Sequence, residues 1–383
     1  MNDVYANIGR GVIVLAAGGT GGHLFPAQAL AEELVKRGYI IHLVTDERVA
    51  GYGKTFPAIE THIVPSATLS FSKPWLLPIR LYQLCRGVVK ARAVLQKLQP
   101  AAVVGFGGYP SFPPLVAAWL LQIPSCVHEA NSVLGRANGF LSRFVDAVAS
   151  SFPKLVGLTA KSQSKFVLTG NPVRGVVMMQ RAATYPEMGA DKNFNLLVFG
   201  GSQGARFFAD FMPKVMAEMP RAVLKTLHLT QQCRPEDIAA VEAVYSRLDF
   251  NFELQPFFAD MPKRIANSHL VVCRSGASTI AELGVIGRPA VMVPLPHAID
   301  NDQLRNAESF VAAGAGWVKP QNTLEPSEFA AFLTRLRYRD SELKAAAAAA
   351  LSQGKPDAAE RLADLTEHLV AKAAEKKLEK KQQ

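Results

Sequence analysis

The sequence predicts two α/β domains, each built on a parallel sheet with helices on both faces. Three observations lead there. A glycine-rich turn occurs twice, at Gly18-Gly19-Thr20-Gly21-Gly22 and at Gly200-Gly201-Ser202-Gln203-Gly204. Each turn follows a short apolar run, Val12 to Leu15 or Leu196 to Phe199, and precedes helical spacing, Leu24 to Val35 or Phe207 to Val215. The chain has 383 residues, 49% of them hydrophobic, which is enough for two separate cores. Glycine lets the backbone turn sharply and approach a ligand, and the helix that follows offers free N–H groups to an anion. The doubled unit therefore predicts two nucleotide-binding-type domains facing each other across a cleft.

Taken in order, the first half reads as strands at Val12–Leu15, Ile40–Val44, Val103–Gly105, Cys126–His128 and Ala147–Ser150, separated by helical spacing. The second half repeats the scheme at Leu196–Phe199, Leu227–Leu229, Asn251–Leu254, Leu270–Cys273 and Ala290–Pro294. Such alternation implies parallel pairing, because a parallel partner needs a crossover helix. Thr169-Gly170-Asn171-Pro172-Val173-Arg174 reads as a turn and interdomain hinge. The expected division is 1–172, 173–350, and a closing segment 351–383 with a helix over Asp357 to Ala373 and a frayed basic end.

Composition narrows the class. Lys and Arg outnumber Asp and Glu by 42 to 32, a net charge of +10, which suits a phosphorylated ligand or an anionic membrane. No RNA-binding aromatic signature or zinc finger accompanies it, so no nucleic acid is expected as a partner. The four cysteines are widely spaced, without a C-x-x-C pair, which argues for a reducing compartment and against a zinc site. No run is long enough to span a bilayer, and no export signal is read. One segment departs from the alternation. Phe71, Trp75, Leu76, Leu77 and Ile79 cluster beside Lys73 and Arg80, a composition that suits an anionic interface. Behind it, Leu81, Leu84, Val88, Ala91, Leu95 and Leu98 follow the spacing of a core-facing helix.

The familiar phosphate motifs are absent. No G-x-G-x-x-G overlies either turn, which disfavours a nicotinamide or flavin cofactor. Gly53-Lys54-Thr55 ends like a P-loop, but Arg48 stands where its first glycine belongs. What remains is a small set of side chains. His23 follows the first turn and is placed to take a proton from a hydroxyl. Between Cys273 and Gly284 a strand ends, a Ser/Gly loop turns, and a helix carries Glu282, read as inward-facing. The helix start suits a diphosphate, and the carboxylate one turn on suits paired ribose hydroxyls. His128-Glu129-Ala130-Asn131 lacks the second histidine of a metalloprotease helix. Asp300-Asn301-Asp302 opens a helix, where aspartates cap, so no metal is expected.

These segments together resemble the MurG family of peptidoglycan glycosyltransferases. The resemblance runs from Val12 to the last helices through GGTGGHLFPA, GFGGYPSFPPLVAAW, HEANSVLGRAN, TGNPVR, GGSQGA, FFADMP, CRSGASTIAEL and VPLPHAIDNDQLRNA, in that order. It implies two facing Rossmann-like domains of the GT-B fold, with a C-terminal helix returning to the first. It implies a UDP-N-acetylglucosamine donor held by Ser202, Arg174, Phe258, Ala277, Ser278, Thr279, Ile280, Ala281, Glu282 and Gln303. Phe258 would present its backbone to the uracil, Glu282 would hold the ribose, and Gln303 would bind sugar hydroxyls. Thr20, Gly21, Gly22 and Asn131 would approach the sugar and an undecaprenyl-diphosphate-linked muramoyl-pentapeptide acceptor, with His23 as base and no cofactor or metal. An anionic membrane surface on the cytoplasmic side and other cell-wall synthesis proteins are the implied partners. Two departures fall on the acceptor side: Ala130 replaces the glutamine common in the family, and Ala67-Thr68-Leu69-Ser70-Phe71 replaces a glycine- and arginine-bearing loop. A UDP-N-acetylglucosamine 2-epimerase, which shares the fold, and a non-catalytic nucleotide-sugar scaffold are the competing readings.

Overall fold

The computed structural model describes residues 10–18, 21–47, 56–68, 74–181, 183–188, 193–200, 205–296 and 301–382. The chain divides into two units, Met1–Arg174 with Pro356–Gln383, and Gly175–Lys355. In the first unit seven parallel strands form one sheet: β1 Val12–Ala16, β2 Ile40–Thr45, β3 Glu60–Ile63, β4 Ala102–Gly105, β5 Ser125–Glu129, β6 Ala147–Ser150 and β7 Phe166–Leu168. Their order is β3-β2-β1-β4-β5-β6-β7. The central strands are buried on both faces, which is why they read as continuous Val/Ile/Leu runs rather than alternating ones. Helices α1 Gly21–Lys36, α2 Leu77–Leu98, α3 Phe112–Leu120, α4 Arg136–Leu141 and α5 Ala160–Gln163 form the crossovers.

Three details differ from expectation here. Helix α1 begins at Gly21, so Gly21 and Gly22 belong to its first turn instead of preceding it, and His23 lies at the helix start as expected. The core face of α2 is Leu84, Gly87, Ala91 and Leu95, while Leu81 is exposed because the covered stretch begins one turn later. Strands β3 and β7 escaped sequence reading: Glu-Thr-His-Ile is a polar edge strand held by its ladder to β2, and β7 has only three residues.

The second unit repeats the plan with β8 Phe194–Phe199, β9 Leu227–Gln232, β10 Asn251–Gln255, β11 Leu270–Cys273, β12 Ala290–Met292 and β13 Gly316–Val318, ordered β10-β9-β8-β11-β12-β13. Its helices are α6 Gly175–Met178, α7 Ala205–Ala217, α8 Arg221–Leu224, α9 Pro235–Leu248, α10 Met261–Ala266, α11 Ala277–Ile286, α12 Asp302–Ala312, α13 Pro326–Arg337 and α14 Asp340–Gln353. Strand β12 stops at Met292, short of the expected Pro294, whose ring removes the N–H that a ladder needs. Strand β13, three residues long, was not foreseen.

The last helix, α15 Ala358–Gln382, belongs to the first unit. Leu362, Ala363 and Leu369 enter the core formed by Ile13, Leu15, Leu30 and Leu34. Arg37 at the end of α1 donates to Asp364 at 2.6 Å and Glu367 at 2.8 Å. Burial of the three apolar side chains, about 1.5–3 kcal/mol for each large one, outweighs such surface ion pairs, which contribute about 0–1 kcal/mol.

Candidate active site

Both sheets reverse their winding direction once, between β1 and β4 and between β8 and β11. Loops leaving the carboxyl ends of those two strands run to opposite faces and open a crevice, the usual ligand position in an open parallel sheet. The two glycine turns are the loops that follow β1 and β8.

In the first unit the turn packs tightly. A Cβ added to Gly18 would lie 2.9 Å from Thr45 Oγ1 and 3.0 Å from Pro110. Beyond β4, Gly107 and Gly108 adopt φ of +86° and +70°, a left-handed turn that suits glycine. Ser111 Oγ pins it, lying 2.8 Å from both the Ala16 and the Gly107 carbonyls and sharing its one proton between them. The His23 ring rests on this second turn: Cβ atoms built on Gly107 and Gly108 would lie 3.5 and 3.4 Å from its carbons. His23 is half-buried in the first turn of α1.

Behind it lie two buried groups at the end of β5. His128 Nε2 lies 3.0 Å from the Gly170 carbonyl, so Nε2 carries the proton, and its ring packs on Phe106. Burial, with His23 nearby, pushes its pKa down to about 4, keeping it neutral. Glu129 accepts from the Asn131 amide at 3.0 Å, the Gly135 amide at 2.9 Å and Asn138 Nδ2 at 2.8 Å. Burial raises its pKa while those donors oppose the rise. The carboxylate thus shapes the loop that presents Asn131. Arg174 stacks 3.9 Å over the Phe25 ring on α1, beside Gly21.

In the second unit, β11 passes through Arg274-Ser275-Gly276 into α11. Gly276 occupies the cap position in an extended conformation and has no side chain to occupy the first amides of α11. The loop is tied to α12: Ser275 Oγ donates to the Gln303 carbonyl at 2.8 Å, and Gln303 Oε1 accepts from the Leu295 amide at 3.0 Å. This anchors the Gln303 carboxamide at the start of α12. Arg274 is buried against Phe207 and Phe208, donates to the Val293 and Pro294 carbonyls and to Gln321, and is pushed down to about 10 by burial. Ala277, Ile280 and Leu283 take the core face of α11. Glu282 therefore is half-buried and not inward-facing, with Ser278, Thr279 and Ala281 similarly half-buried. Phe258 is buried, its ring under the Arg264 guanidinium at 4.1 Å, itself held by Asp260 and Glu253. Asp302 is the first residue of α12 and not the cap that the sequence suggests: the cap position is Asn301, and Asp302 accepts from the neighbouring Gln303 amide at 2.7 Å.

Thr20, Ser202, Asp300, Phe71 and Lys73 lie outside the described residues. Gly21, Gly22, His23, Asn131 and Arg174 belong to the first unit; Phe258, Ala277 to Glu282 and Gln303 belong to the second. Sequence reasoning passed over Glu129, Asn138 and the Gly107-Gly108 turn. Charged Glu129 closing an apolar strand, just before a polar loop, was the available signal.

Two family models match the chain: the glycosyltransferase family 28 N-terminal domain over residues 13–150, and the C-terminal domain of the same family over residues 195–362. The chain belongs to glycosyltransferase family 28. It is 47% identical over 363 residues to the UDP-N-acetylglucosamine–N-acetylmuramyl-(pentapeptide) pyrophosphoryl-undecaprenol N-acetylglucosamine transferase of Rhizobium johnstonii, covering 95% of this chain and 96% of that one. The enzyme of the same name from Mesorhizobium japonicum is 48% identical over 362 residues, 94% and 96% of the two chains. Among solved structures, Acinetobacter baumannii MurG superposes with a TM-score of 0.75 at 29% identity, over 94% of this chain and 99% of that one. The family makes this a glycosyltransferase of the MurG type, and its two parallel-sheet units are those of the GT-B fold.

Proposed function

We propose that the enzyme transfers N-acetylglucosamine from UDP-N-acetylglucosamine to the C4 hydroxyl of the lipid-linked muramoyl-pentapeptide, lipid I, forming lipid II for peptidoglycan. The observation that carries this reading is the coincidence of both glycine turns with both switch points, in a chain nearly half identical to enzymes named for that reaction. In the second unit the N-terminal turn of α11 receives the diphosphate, Glu282 the ribose, the Phe258 backbone the uracil and Gln303 the sugar hydroxyls, with Ser202 on the other glycine turn. In the first unit Thr20, Gly21, Gly22 and Asn131 position the acceptor, and Arg174 supplies a cation to the donor. His23 takes the O4 proton as the O4–C1 bond forms. The C1–O bond breaks with its electron pair leaving on the UDP phosphate, and C1 inverts. Helix-start amides stabilise that developing charge.

The same reading places the enzyme peripherally on the cytoplasmic face of an anionic membrane. No described helix is long and apolar enough to cross one. The support is the exposed entry to α2: Trp75, in the turn just before it, is 71% exposed and Tyr82 61%, with Ile79, Arg80 and Arg86 alongside.

The test is radiolabel transfer from UDP-N-acetylglucosamine to lipid I in detergent. A lipid-linked disaccharide is expected. The epimerase reading falls with the family, and epimerised nucleotide sugar formed from donor alone would reinstate it.

A further inference from the structure

Helix α15 continues well past its last deeply buried residue, Leu369. Over that extension Lys372, Lys376, Lys377 and Lys380 are all exposed and, at spacings of four, one and three, cover an arc of about 140° around the helix. They form one wall of a groove of about 390 Å³, whose opposite wall carries Trp119 from α3 and Phe144. The two rings pack at 4.8 Å, and Phe140 continues the stack at 5.2 Å. Trp119, Leu120 and Phe140 are 48%, 49% and 44% exposed, so the aromatic wall opens to the outside. The acidic side chain lining the groove, Asp146, accepts the Ser125 amide at 2.9 Å and so is partly compensated from within the fold. Four ammonium groups beside exposed aromatic and aliphatic side chains match a ligand with a phosphate at one end and hydrocarbon at the other.

We propose that this groove is a headgroup site for an anionic phospholipid, the lysines of α15 taking the phosphate and the Trp119 wall the first part of the acyl chains. The proposal rests on the membrane-surface reading above but uses residues separate from the Trp75–Tyr82 segment. It makes α15 a second electrostatic tether.

The experiment is vesicle flotation of the full chain, on phosphatidylcholine alone and with phosphatidylglycerol added. Three variants accompany it: K372Q/K376Q/K377Q/K380Q, a control K154Q/K161Q/K225Q/K263Q that removes the same charge from exposed lysines outside the groove, and W75S/I79S/Y82S. The groove variant should lose the phosphatidylglycerol-dependent increment, by about fivefold for each lysine that reaches the headgroups. The control should keep most of it, and the groove variant should retain the parent's helicity and transfer rate on a water-soluble acceptor analogue. W75S/I79S/Y82S should lose binding to phosphatidylcholine while retaining the increment. Equal losses in the groove and control variants would overturn the site in favour of bulk charge. A groove variant that floats like the parent would overturn the site and leave the membrane reading standing. A parent that ignores both vesicles would sink both. Loss of the increment to soluble glycerol phosphate would assign the groove to a free phosphate and overturn the lipid.

Discussion

The two units share one strand order over six strands, β7 extending only the first sheet, and carry a glycine turn at the same switch point, yet the chemistry beside those turns differs. In the first unit the turn is backed by titratable groups: His23 in front, neutral His128 and Glu129 behind. In the second, the described loop beside the switch point contributes backbone amides, held in place by Arg274, Ser275 and Gln303. On the reaction proposed above, one scaffold serves proton handling in one unit and anion binding in the other. The fold alone did not decide which.

The comparison breaks most visibly at His23. Replacing it with alanine should lower kcat by about 10²–10⁴-fold, the usual worth of a general base, with donor KM little changed. A loss confined to donor KM would move proton handling elsewhere.

The next effect concerns His128 and pH. Its folded pKa near 4 lies below the unfolded value near 6.5, so the unfolded chain takes up the proton first. Stability is whole above about pH 6.5 and falls as pH drops towards 4, by about 3 kcal/mol for this group. Burial also lowers His42 and His62, whose Nδ1 and Nε2 share a 3.0 Å hydrogen bond, and they act with the same sign. Urea unfolding of H128Q should therefore show a shallower, not abolished, decline between pH 7 and pH 4. An unchanged slope would mean His128 protonates in the native state.

In the second unit Glu282→Ala should weaken UDP-N-acetylglucosamine binding by about 1.5–3 kcal/mol, the worth of hydrogen bonds to a charged group. Calorimetry would show it, and unchanged affinity would remove Glu282 from the donor site. The smallest effect is that of a chelator. If helix-start amides carry the diphosphate, EDTA should leave transfer intact, whereas loss restored by magnesium or manganese would return Asp302 to consideration as a ligand.

The long buried strands and their glycine turns were legible in the chain, because apolar runs of four or more residues and glycine pairs are local signals. Glu60–Ile63 and Gly316–Val318 were not, since such short strands exist through ladder partners distant in sequence. Glu282 was legible as a carboxylate on the helix after β11 but not in its posture, which depends on Ile280 and Leu283 taking the core face of α11.

The sequence by itself determined the doubled strand–turn–helix plan, the His23 and Glu282 positions and the family motifs, all properties of neighbouring residues. Only the tertiary structure decided that β4 lies beside β1, which brings Gly107 and Gly108 under His23 and buries His128 and Glu129 nearby. It also decided that α15 returns to the first unit and sets its lysines against Trp119. Strand order and burial are set by packing among distant segments, and a buried group's proton affinity follows its surroundings rather than its place in the chain.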